Sequence, residues 1–119
     1  MKTTVDLEIF SPRWGNEDTY TVQLNRDFME IKMSPRVSRA TWIENQDPEW
    51  SGESIQAIMN NDNIYPPKIT QDLFEHVWKE WRNGDINDQQ AEAELQEIAK
   101  WINAVTRAKP DTEFWNKYF

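Results

Sequence analysis

Three features of this 119-residue chain predict an α+β fold. Apolar residues recur at every second position through the first forty residues. The period becomes helical after Pro48, and Gly84 then stands just ahead of an Asn87-x-x-Gln90 cap. The expected architecture is an N-terminal antiparallel sheet of about four strands (residues 1–44) packed against a C-terminal helical hairpin and a short terminal aromatic helix (within 51–119). The length suits one domain, 1–119, burying roughly two-thirds of its unfolded surface.

Val5, Leu7 and Ile9 alternate with Thr4, Asp6 and Glu8; Tyr20, Val22 and Leu24 alternate with Thr19, Thr21 and Gln23. Met29, Ile31 and Met33 continue the pattern, and Ala40 and Trp42 extend it beyond Pro35. Such alternation buries one side of each strand, and a sheet with one apolar face needs a helical cover. The Asn25–Arg26 junction is short enough for a hairpin. Ser11–Asp18, with Pro12 and Gly15, is expected to be a loop.

In residues 44–53, ENQDPEWSGE, Asp47–Pro48 and Ser51–Gly52 read as consecutive turn and cap signals. Ser51 is expected to cap a helix reaching about Asn60, with Glu53 in its first turn and Ile55, Ile58 and Met59 as its apolar stripe. Pro66 and Pro67 end that segment. Thr70 is expected to cap a helix over Gln71–Asn83, on which Leu73, Phe74, Val77, Trp78 and Trp81 share a face. The capping box at Asn87 then opens a helix to about Ala108, with Ala91, Leu95, Ile98, Ile102 and Val105 as its stripe. The short Arg82–Asn87 connection implies an αα-hairpin. After Pro110, Phe114, Trp115, Tyr118 and Phe119 have the spacing of a short aromatic helix that docks on the domain or on another subunit.

The chain has no cysteine, which excludes disulfides, thiolate nucleophiles and Cys-ligated metals. A single histidine rules out a multi-His metal site. No cofactor is implied: Gly15, Gly52 and Gly84 form neither a dinucleotide fingerprint nor a P-loop, and there is no G-x-S-x-G elbow. The start lacks a signal peptide's apolar stretch and no apolar run approaches a membrane span, so a cytoplasmic location is the default expectation.

The net charge of −8 is uneven. Residues 1–43 hold six acids and six bases; residues 44–119 hold fifteen acids and seven bases. An acidic chain repels phosphate, so nucleic acid is a disfavoured partner. Arg13, Arg26, Lys32, Arg36 and Arg39 are interleaved with acids and read as a mixed-charge surface. That surface could meet the acidic helical half of a second copy.

Four placements carry candidate chemistry. His76, with Asp72 four residues before it and Glu80 four after, could act as a general acid or base; the same spacing also suits an ordinary charged helix face. The carboxylates Glu44, Asp47, Glu49 and Glu53 lack EF-hand order, and no metal site is assigned to them. The helix start at Ser51–Gly52 could accept an anion, but Glu53 opposes it. Trp50 beside Glu49 and Glu53 is either a wedge between sheet and helix or a recognition anchor.

The strings SPRWG, NQDPEW followed by SGE, NNDNIYPP, WRNGD and KPDTEFWNKYF resemble a family of small bacterial orphan proteins that includes mobile integron gene-cassette proteins. The resemblance covers nearly the whole chain. It implies an α+β domain with an accessory bacterial function and brings no catalytic assignment.

The leading functional expectation is non-catalytic protein interaction, with self-association as one form of it. Its candidate surfaces are Trp50 with Glu49 and Glu53, and Phe114, Trp115, Tyr118 and Phe119. The second class is binding of a small apolar or aromatic ligand, if Trp14, Trp42 and Trp50 converge on one pocket. The third is an enzyme using His76 with Asp72 or Glu80.

Overall fold

The computed structural model describes residues 2–35, 38–43 and 49–108. Five strands form one antiparallel meander in the order β1-β2-β3-β4-β5: β1 (Lys2–Ser11), β2 (Asn16–Asn25), β3 (Phe28–Ser34), β4 (Ser38–Ile43) and β5 (Glu49–Gly52). Three helices follow: α1 (Ile55–Asp62), α2 (Pro67–Arg82) and α3 (Asp88–Ala108).

The period-two residues supply the buried face. Register aligns them in rows across the sheet: Val5, Val22, Ile31 and Ala40 form one; Leu24, Met29, Trp42 and Trp50 form another. Phe74, Trp78 and Trp81 of α2 and Leu95 and Ile102 of α3 are fully or almost fully buried in the same core. Two of those indoles have polar partners: Trp78 Nε1 donates to the Asn25 carbonyl at 2.8 Å and Trp81 Nε1 to Asp88 Oδ1 at 2.6 Å.

The expected Ser11–Asp18 loop contracts to Pro12–Gly15, because β1 and β2 pair as far as Ser11 and Asn16. Gly15, at φ +70, donates its N–H to the Ser11 carbonyl at 2.8 Å and closes the turn. Asp18 continues the buried side of β2 opposite Ile9. Its polar neighbours had the composition of a loop.

The hinge expected in 44–53 is also corrected. Glu49–Gly52 is a fifth strand, in which Trp50 faces Trp42 across the β4–β5 pair. The two rings lie 5.6 Å apart at 59°, a tilted contact that adds about 0.5–1.5 kcal/mol beyond area burial. Ser51 therefore pairs with Thr41, and the cap of α1 is Ser54, whose hydroxyl accepts the Ala57 N–H at 3.1 Å. The Asp47–Pro48 turn lies outside the described residues.

α1 runs on to Asp62 and ends at Asn63 in the left-handed region. α2 starts at Pro67, with Pro66 at the N-cap position. A proline at the first helical position loses only an N–H that would have no intrahelical partner. Thr70 is thus inside the first turn, buried, with its hydroxyl donating to the Pro66 carbonyl at 2.6 Å.

Gly84 and the Asn87–Gln90 box perform as read. Gly84, at φ +81, donates to the Trp81 carbonyl and Asp85 to that of Glu80, which closes α2 in a Schellman arrangement. Asn87 and Gln90 exchange side-chain-to-backbone bonds of 2.9 and 2.8 Å. α3 then lies along β1. Asn103 accepts from the Phe10 N–H and donates to the Glu8 carbonyl, while Gln96 donates to the Asp6 carbonyl. These side chains satisfy backbone groups on the outer edge of β1.

Candidate functional site

The α2–α3 hairpin creates a concave surface that brings together the single histidine and three glutamates. Leu73, His76, Val77 and Glu80 recur at helical spacing along one flank of α2, and Ala93, Glu94, Glu97 and Ile98 flank the buried stripe of α3. Between them lies a groove of about 490 Å³. Its floor is aliphatic, from Leu73, Val77 and Ile98, and its walls carry three glutamates and the single histidine. Trp101, 37% exposed, stands four residues beyond Glu97 and continues that face of α3.

The charges in the groove are coupled. His76 Nε2 lies 3.1 Å from Glu80 Oε1. Glu94 of α3 lines the same groove as Glu80 of α2. The Glu94 pKa is raised above the ordinary 4.5, first by burial and then by the neighbouring Glu80 carboxylate; His76 pulls it the other way. Glu97 is paired with Lys100 at 3.3 Å. The arrangement can attract a cation beside an aliphatic floor.

The structure separates the two carboxylates proposed for His76. Glu80 contacts it; Asp72 is instead ion-paired with Lys68 at 3.4 Å. The His76 side chain is 68% exposed, so Glu80 can orient the imidazole without removing it from water.

The tryptophans do not converge on one pocket. Trp42 and Trp50 pack on each other at one end of the sheet. Trp14, 53% exposed, lies in the β1–β2 turn at the other end, roughly 26 Å away for eight residues of strand. There its ring meets Arg13 and its Nε1 donates to Asp62 Oδ1 at 3.2 Å.

Trp50 is half-buried, and its Nε1 donates to Glu75 Oε1 on α2 at 2.8 Å, so much of the residue serves to join β5 to the helices. Glu53 is exposed. The Glu49 side chain, Glu44, Asp47 and the aromatic residues 114–119 lie outside the described residues. Among those described, no group of three or more His, Asp or Glu is arranged for a metal, and no helix is long and apolar enough to cross a membrane.

Glu94 and Glu97 escaped the sequence reading. The predicted hairpin could have placed α3 beside α2, but the helices' relative rotation decides which flanking acids meet His76 and Glu80. A second hollow, of about 540 Å³, lies at the hairpin turn beside Trp81, Ile86 and Asn87. Its indole N–H and its Asn87 side chain are already bonded to Asp88 and Gln90, leaving less polar chemistry for a ligand.

Residues 3–106 match the family described as Integron cassette protein. The chain is also similar to a solved structure from the mobile metagenome of V. cholerae, the integron cassette protein VCH_CASS3. The two share 54% identity over 99% of this chain and 94% of that one, with a TM-score of 0.78. No curated protein matches the chain.

Proposed function

This chain belongs to the integron cassette protein family, and on that premise we propose that it is a non-catalytic accessory protein that binds another protein through the α2–α3 groove. The observation that carries this reading is the groove between two antiparallel helices, where half-buried Leu73 and exposed Ala93 lie over the buried Val77 and Ile98. A third helix laid along such a channel buries its own apolar face by ordinary helix packing. The exposed Trp101 offers an aromatic anchor at the end of the same face.

A heterologous partner suits the groove better than a second copy. A symmetric contact through it would set the Glu80, Glu94 and Glu97 rim against itself, and the whole molecule carries −8. A catalytic use of His76 is less well supported, because the exposed imidazole lies in high-dielectric water where an oriented carboxylate has little leverage.

The test uses a fluorescent helical peptide with leucines on one face and glutamines on the other. Binding should shift backbone amide resonances of residues 73–80 and 93–98. Ala93 is exposed on α3, so Ala93→Tyr should fill the groove without unfolding the helix. It should weaken binding by about tenfold or more, a loss of about 1.4 kcal/mol. Unchanged affinity in a folded Ala93→Tyr variant would refute the groove as the binding surface.

A further inference from the structure

Resting on that reading of the groove, we infer that its occupant is an amphipathic helix of a partner protein that sets a lysine or arginine between Glu80 and Glu94, its aliphatic stem lying over Val77 and Leu73. Charge complementarity and local geometry select this chemistry. Glu80 of α2 and Glu94 of α3 line one groove from different helices, beside Val77 and Leu73. Of the nearby basic groups, Lys100 pairs with Glu97, while His76, 68% exposed, contacts Glu80 at 3.1 Å.

Long basic side chains are built for such a place. Their methylenes cover apolar surface while the head reaches a carboxylate. A neutral apolar helix would fill the floor but leave the two acids together at reduced solvation. A cationic head favours the ionised form of a carboxyl beside it. Apolar burial supplies sequence-tolerant affinity, while the carboxylate pair would discriminate a basic partner from a neutral one.

Protonation gives the proposal a distinctive readout. The groups facing Glu94 are Glu80 and His76 from α2 and, one turn along α3, Glu97 with its partner Lys100. The raised Glu94 pKa means that a cationic occupant binds with proton release, and its affinity increases with pH while Glu94 ionises. His76→Gln removes the histidine from the groove, so the Glu94 effect can be followed without it.

The experiment compares two helical peptides that share the leucine face, one carrying lysine and the other glutamine at the central position flanking it. Calorimetry in two buffers of different ionisation enthalpy, on the His76→Gln background, reports both affinity and protons released. The lysine peptide should bind about tenfold more tightly than the glutamine peptide and, at a pH where Glu94 is still ionising, release protons on binding. With Glu94→Gln added, both the preference and the proton release should collapse while apolar binding persists. Equal binding of the two peptides, sensitive to Ala93→Tyr, would overturn the cation and leave the groove reading intact. Binding of neither peptide by the folded protein would overturn both.

Discussion

At the scale of single residues, the Glu94 carboxyl carries a cost to the fold. Its pKa is raised in the folded protein by burial and by Glu80. Above the ordinary carboxylate range the unfolded chain ionises freely, whereas the folded chain must ionise Glu94 in a half-buried, acidic setting. The folded state therefore binds more protons between 4.5 and the raised value, and stability falls as pH rises through that interval. Glu94→Gln should remove this penalty and raise Tm at pH 7 by about 1–4 °C, with the gain disappearing below pH of about 4. A gain of equal size at both pH values would assign the effect to packing instead. Trp50 shows a different balance. Its pairing with Trp42 and its bond to Glu75 explain most of what the residue does by architecture.

At the scale of elements, α2 and α3 are joined by local devices that the sequence spells out. Gly84 sits at φ +81 with open space where a Cβ would go, so backbone conformation is what requires glycine there. Gly84→Ala should lower stability by about 1–2 kcal/mol in urea unfolding. Asn87→Ala, which removes one arm of the capping box, should cost about 1 kcal/mol.

The edge of β1 is a longer-range matter. Gln96→Ala with Asn103→Ala should leave the Phe10 N–H and the Asp6 and Glu8 carbonyls without their helical partners. The expected result is a loss of about 1–3 kcal/mol and a concentration-dependent dimer in light scattering, as an uncovered edge strand recruits another. A strictly monomeric double variant would show that the remaining cover suffices. Boundaries were less legible than elements. Polar Asn16–Asp18 looked like loop but pairs in β2, and four-residue β5 is too short to show a period.

At the scale of the whole molecule, charge and shape act together. The acidic residues are concentrated in the helical half, and the hairpin collects three of them around one apolar groove. Attraction of the lysine peptide to that rim should weaken as salt is raised from 0.05 to 0.5 M, while the glutamine peptide should respond little; about these concentrations the screening length falls well below the size of the domain. The sequence by itself determined the α+β class, the inward residues of the first four strands, the helical hairpin and the caps at its turn. Those depend on periodicity and on contacts a few residues apart. Only the tertiary structure decided that Trp50 joins a fifth strand, that Trp14 stands far from Trp42, and that Glu94 rather than Asp72 completes the environment of His76 and Glu80. These are relations between separate elements. They are fixed by strand register and helix rotation, which follow from packing the entire core and have no local signature.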